Sequence, residues 1–393
     1  MKLVETHTIT EQHPFFKEID NLCFLSKNLY NSALYEIRQE YFTSKKYINW
    51  VEVINRFTKI KQQDYSKLPA KVSQQTIKKV HDNFLSFFAL LKKKDMKAKM
   101  PKYLDKVDGR FAITYTNQAI SKRDLKKGII HPSKTNIRIK TKCSPESIQQ
   151  VSFVRINKLT YKVLVVYNKE HRELKEDNGR YASIDLGVNN LATLSSNVMK
   201  PIIYNGRPLK SINQFYNKQK SVLQQKSKKQ TSNKIIKLGR KRNNKINDYL
   251  HKTSRMIVNH LVENDIHTLI VGYNKGWKQE TTLGCVNNQK FVMIPFHKFL
   301  LMLQYKCSLE GIQCIINEES YTSKCSFLDG ERIERHEKYK GKRIKRGLYE
   351  SSTGRKMNAD LNGSLNILRK VIGDFQYSIE VCSTPLNVTP SIN

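Results

Sequence analysis

Between Ser211 and Arg255 the chain carries 13 Lys or Arg residues and a single acid, Asp248. A helical stretch that basic cannot be a core helix, and without acids no i,i+4 pairing stabilises it. It needs a polyanion alongside, and a phosphate backbone is one. Only its C-terminal part, with Tyr249, Leu250, Ile257, Val258 and Leu261, turns amphipathic and is expected to pack. The whole chain shares the bias: the formal net charge is +36 over 393 residues, with a pI near 9.8. Such a field attracts nucleic acid first and anionic membrane second. The membrane reading loses ground, because no run of about 18 apolar residues is present and the N-terminus lacks the form of a signal peptide.

Around the basic region, 211–262, the texture changes along the chain. Residues 15–42 repeat apolar side chains at helical spacing (Ile19, Leu22, Leu29, Ala33, Ile37), and 71–92 do so again with Val72, Ile77, Val80, Phe84 and Phe88. Met100-Pro101 breaks that pattern. Short alternating segments follow at 110–115, 136–139, 151–156 and 161–167, the signature of a β-barrel or compact sheet with a basic face. A charged linker, Lys169 to Arg180, leads to the strand-like Tyr181–Leu186 and a turn at Gly187-Val188-Asn189-Asn190. Past the basic region, buried strands are read at His267–Val271 and Ile312–Ile316, with a helix at 295–309 between them. The expected fold class is α+β and multidomain. The seven cysteines (Cys23, Cys143, Cys285, Cys307, Cys314, Cys325, Cys382) contain no C-x-x-C pair, which fits reduced, buried thiols better than a disulfide framework.

Several acids stand where rigid backbone ends. Asp185 closes an apolar strand before a glycine turn, Glu318 and Glu319 terminate Cys314-Ile315-Ile316, and Asp360 opens the helix-like run Met357–Ile367. Hard Mg²⁺ takes oxygen ligands, and two-metal phosphodiester hydrolysis holds its ions about 3.5–4 Å apart. Carboxylates at neighbouring strand ends suit that task. For Asp360 the alternative is a helix cap or a dipole partner.

The segments Ile184–Thr193, Tyr321–Ser326 and Asn358–Ile367, with Lys27-Asn28-Leu29-Tyr30-Asn31 near the start, resemble in this order the TnpB family. These are transposon-encoded RNA-guided DNA endonucleases related to the small type V CRISPR effectors. The C-terminal half looks like a RuvC-type nuclease of the ribonuclease H fold. The resemblance implies the start of a wedge domain at 1–14, a helical recognition lobe at 15–100 and a β-barrel wedge domain at 101–178. It further implies a mixed-sheet RuvC domain at 179–320, a degenerate zinc-knuckle-like basic insert at 321–356, a last RuvC segment at 357–375 and a tail at 376–393. The implied activity is DNA cleavage beside a short flanking motif, with two Mg²⁺ ions, for which Mn²⁺ can stand in. The implied partners are a guide RNA and double-stranded target DNA, with no membrane. The implied setting is the cytoplasm, at the nucleoid, with a bacterial or phage origin.

Two departures from the family pattern matter. The middle acid usually follows the strand that here reads Leu269–Asn274, where no carboxylate stands; Asp265 precedes it and Glu280 lies well past it. A subset of the family moves this glutamate to just before a Thr-Ser-Lys motif, here Thr322-Ser323-Lys324, which points to Glu319. Glu318, one residue off and turned to the other side by strand alternation, is the runner-up. The set implied for catalysis and metal binding is Asp185, Glu319 and Asp360. The second departure is the zinc knuckle: only Cys325 remains, Leu328 replaces its partner, Tyr349–Gly354 has no cysteine, and His336 fits no spacing. One thiolate cannot build a four-ligand site, so no structural zinc is expected, and 327–348 reads as a basic loop. Rival readings are a guide-directed repressor that has lost cleavage, and a CRISPR effector descended from the same family. A structure-selective resolvase is usually far smaller, and a strand transposase would need a Tyr nucleophile with a His-hydrophobic-His motif.

Overall fold

The computed structural model describes residues 1–95, 97–274, 289, 291–375 and 385–391; Cys285, Glu280 and Cys382 lie outside them. The chain divides into two compact units, Met1–Lys169 and Glu170–Asn393.

The first unit joins helices to an antiparallel sheet. Helix α1 (Phe16–Ser44) buries one stripe, Ile19, Leu22, Cys23, Leu29, Tyr30, Ala33, Leu34 and Ile37, at the expected three-four spacing. Two short helices follow, α2 (Trp50–Lys59) and α3 (Gln63–Lys67). Periodicity passed over both, since α2 buries only Val53 and Phe57 and α3 buries nothing. Helix α4 (Ala70–Lys92) packs Val72, Ile77, Val80 and Phe84 into the same core as α1. The sheet runs β1–β6–β5–β2, with β1 at Lys2–Thr10, β2 at Ile113–Thr116, β5 at Ile148–Asn157 and β6 at Thr160–Asn168. Strand β1 pairs with β6 from Lys2↔Asn168 to Thr10↔Thr160, so the first residues belong to this sheet. A small side ladder joins β3 (Ile129–Ile130) to β4 (Ile139–Lys140), preceded by one turn of helix, α5 (Lys122–Leu125). The Lys27–Asn31 motif is structural here. Lys27 Nζ donates to Lys106 O at 2.8 Å, and Asn31 both donates to Leu104 O (3.0 Å) and accepts from Leu104 N (2.9 Å).

The second unit is built on a mixed sheet in the order β11–β10–β7–β8–β9–β15. Strands β7 (Tyr181–Leu186), β8 (Asn190–Ser196) and β9 (Ile202–Asn205) form an antiparallel meander. Strands β10 (Thr268–Gly272) and β11 (Gln313–Asn317) add in parallel beside β7. The basic region folds as two helices, α6 (Arg207–Ser227) and α7 (Asn233–Glu263), the second capped by the Ser232 hydroxyl accepting from Ile235 N. The C-terminal half of α7 packs on the sheet with α8 (Phe296–Leu309), against the face carrying Ala182, Ile184 and Leu186. The opposite face carries Ser183 and Asp185, and takes a helix from the end of the chain. The segment read as a polar tail adds an edge strand, β15 (Leu386–Val388), parallel to β9.

The insert expected as a basic loop holds a three-stranded antiparallel sheet, β12 (Lys342–Lys345), β13 (Leu348–Glu350) and β14 (Lys356–Asn358). Tyr349 and Met357 bury against Leu361 and Leu365 of the following helix, α9 (Ala359–Ile372). Carboxylates tie its loops: Glu331 accepts from Ser326 N and Lys340 N, and Asp329 from Ser352 N. Cys325 is buried with its thiol near Glu334 O, and half-buried His336 lies against Arg332 O. No described helix is long and apolar enough to cross a membrane.

Candidate active site

Helix α9 docks on the meander through small residues. The Ser183 hydroxyl donates to Ser364 O at 2.7 Å, and Ser364 Oγ lies 2.8 Å from Ser195 Oγ. One position earlier, the helix passes so close to β7 that a Cβ on Gly363 would sit 2.9 Å from Asp185 Oδ2. The approach carries the first turn of α9, and with it Asp360, to the strand end that bears Asp185. The helix is capped by Asn358, whose Oδ1 accepts from Asp360 N at 2.9 Å and Leu361 N at 3.3 Å. Capping therefore falls to Asn358, and the Asp360 carboxylate is turned elsewhere. It accepts from Asn190 Nδ2 at 2.7 Å and faces an Arg343 guanidinium nitrogen at 3.3 Å.

Glu319 follows β11, and β10 lies between β11 and β7. Two strand spacings, roughly 9–10 Å, would keep it from Asp185 if the intervening strand carried a side chain there. That position is Gly272. A Cβ on it would stand 2.9 Å from Glu319 Oε2 and 2.5 Å from Ile367 Cδ1. The glutamate side chain thus lies over bare backbone where the usual family pattern has an acid of its own. Its main chain is held from both sides: Glu319 N donates to Asn274 Oδ1 at 3.1 Å, and Thr322 Oγ1 donates to Glu319 O at 2.8 Å. Glu318 points away, exposed and paired with Lys370 Nζ at 2.9 Å. Asp265, at the far end of β10, pairs with Lys175 at 2.6 Å.

Electrostatics draws the three acids together as one set. Burial pushes the Asp185 carboxyl well above the usual carboxylate range, the negative charges of Asp360 and then Glu319 push it further, and Arg343 opposes them. Burial, with the charge of Glu318 added, pushes Glu319 up to about 7. Buried like charges of this kind either hold a proton or bind a cation. All the donors are oxygens, which suits a hard divalent ion. Among the described residues, no group of three or more His, Cys, Asp or Glu side chains is placed to hold a metal ion as it stands.

Sequence reasoning missed Arg343, Asn190 and Asn274. Arg343 was one of many basic residues in the insert, and only the fold of β12 brings it to Asp360. Asn190 stood inside the Gly-Val-Asn-Asn turn, with its partner 170 residues away. The one available signal was Gly272: a glycine at a strand end, where a large side chain is usual, marks a close approach.

Comparison with known proteins agrees with these segments. The family described as probable transposase (OrfB_IS605) matches residues 164–278, and the Cas12f1-like TNB domain matches 296–367. The TnpB-like protein ORF457 of Acidianus two-tailed virus is 22% identical over 403 residues, covering 91% of this chain and 84% of that protein. The CRISPR-associated endodeoxyribonuclease Cas12f2 of a Micrarchaeota archaeon (strain CG1_02_47_40) is 28% identical over 229 residues, 55% of this chain and 40% of that protein. A solved Cas12f1–sgRNA–target DNA complex superposes over 93% of this chain and 98% of that one at 15% identity, with a TM-score of 0.40, too loosely to assign a fold. By sequence, this chain is a relative of the TnpB-like proteins and of the Cas12f group, the family its motifs resemble.

Proposed function

We propose that the chain is an RNA-guided DNA endonuclease in which Asp185, Glu319 and Asp360 are the catalytic carboxylates and hold two Mg²⁺ ions. When bound, the ions supply an activated water and a counter-charge for the leaving oxygen of a phosphodiester. The protein's own part is positional. Gly363 and Gly272 let α9 and Glu319 close on Asp185, and Asn190 fixes the orientation of the Asp360 carboxylate. Arg343, beside Asp360, is set to meet a non-bridging phosphate oxygen, and its removal is expected to lower kcat about 100-fold with little change in DNA affinity. The basic helices α6 and α7 take phosphate backbone. In the first unit, α1 to α4 act as the recognition lobe, and the β1–β6–β5–β2 sheet as the core of a barrel-like wedge. The mixed sheet is what a ribonuclease H-like RuvC domain needs, with acids at the ends of its parallel strands. The cytoplasm, at the nucleoid, is the setting that such a nuclease requires.

One observation carries the reading: Glu319 occupies the space over Gly272, so a site that lacks the usual middle acid still has three carboxylates. The relatives support the class of chemistry, since one is named as a CRISPR-associated endodeoxyribonuclease and another as TnpB-like. The test starts from RNA that co-purifies with the full chain. Once sequenced, that RNA defines a matching plasmid, which is incubated with the complex and Mg²⁺. Cutting within or beside the match is expected. Tight, matched binding without cutting would make the chain a guide-directed repressor instead. The genomic source of the RNA separates a transposon-borne nuclease from a CRISPR effector.

A further inference from the structure

We propose that the cleft between α6 and α7 is a stacking site for an unpaired nucleotide of the DNA strand approaching the carboxylates; this rests on the nuclease reading above. Strands β7, β9, β10 and β11 run the same way, so Asp185, Glu319 and the start of α6 share one end of the sheet. Helix α7 is fixed at that level, because the Tyr249 hydroxyl donates to Asn205 O at the end of β9. From Tyr249 back to Leu238, α7 climbs about 16 Å past the strand ends, and α6 climbs about 12 Å from Arg207 to Phe215. The cleft between them therefore stands beyond the carboxylate end of the sheet.

It encloses about 520 Å³, within the range of small-ligand sites. Phe215 lines it and is 61% exposed, a large aromatic face held in solvent within the most basic stretch of the chain. The neighbouring Tyr216 ring carries the Arg242 guanidinium 5.7 Å from its centroid. Arg242 is itself locked by Asn213 Oδ1 and Met293 O, each at 2.8 Å. Exposed Lys241 and Lys245 border the same cleft. An aromatic face bordered by lysines matches a single strand, with a base on the ring and phosphates on the ammonium groups. A duplex hides the faces of its bases, and most protein partners would meet uncompensated positive charge.

The test is the affinity of the full chain for a labelled oligothymidylate in EDTA, where cutting plays no part. Phe215→Ala is expected to weaken binding about tenfold without changing the slope of log K against log salt, and Phe215→Trp to restore it. The double variant Lys241→Gln/Lys245→Gln is expected to weaken binding and flatten that slope by about 1.4. Wild-type affinity in Phe215→Ala overturns the proposal, as does an equal loss for duplex DNA, or a loss for oligouridylate alone. Phe215-dependent binding in a protein that fails to cut with Mg²⁺ would sink only the nuclease reading. Cutting by a protein whose binding ignores Phe215 would sink only the stacking site.

Discussion

Asp185 and Glu319 hold their protons more tightly in the fold than in an unfolded chain, because burial and neighbouring acids oppose their negative charge. A carboxyl with a raised folded pKa stabilises most below its unfolded value, and that advantage is lost as pH rises through the folded value. For Glu319 the window runs from its ordinary 4.5 to about 7. Metal-free protein is therefore expected to melt a few degrees lower at pH 8 than at pH 5, and Glu319→Gln to flatten that trend. Thermal melts in EDTA across this range check it; a Glu319→Gln protein with the wild-type slope would contradict it. Asp185→Asn should abolish cleavage yet raise the metal-free melting temperature at pH 8, since a neutral isostere removes the repulsion. The positions of Asp185 and Asp360 were legible because strand ends and helix starts are written in local pattern. Arg343 and Asn190 were not, because their meaning depends on partners 17 and 170 residues away.

At the scale of elements, the site depends on two close approaches that only glycine permits. An added methyl at Gly272 meets Ile367 and the Glu319 carboxylate, and one at Gly363 meets Asp185. Gly272→Ala is expected to cost about 1–3 kcal/mol of stability and to lower cleavage roughly 100-fold, because the carboxylate moves while its chemistry stays. Denaturant melts and single-turnover cleavage measure the two effects separately. The periodic signals in α1, α4 and α7 were readable because each buries a continuous stripe. The insert was misread as a loop because β12, β13 and β14 are only three or four residues long and are held by packing on α9, a contact that no local pattern announces. Strand β15 was missed for a similar reason, since three residues pair with a strand laid down some 180 positions earlier.

For the whole molecule, a net charge of +36 makes every nucleic-acid affinity strongly salt-dependent. Co-purifying RNA should survive at low salt and be stripped progressively by higher salt, with log K linear in log salt; retention that ignores salt would argue against backbone recognition by this surface. Composition alone pointed to the class of partner proposed above, and the ordered motifs pointed to the lineage. The Thr322-Ser323-Lys324 motif favoured Glu319 over Glu318 as the middle acid, and the structure lays Glu319 over Gly272 while Glu318 faces Lys370. The most direct test is Mg²⁺-dependent cleavage of the matched plasmid by wild type, Glu319→Ala and Glu318→Ala side by side, each loaded with the same RNA. Cleavage should be lost in Glu319→Ala and stay within about twofold of wild type in Glu318→Ala, whose exposed ion pair is worth little. Full cleavage by Glu319→Ala would contradict the three-carboxylate site.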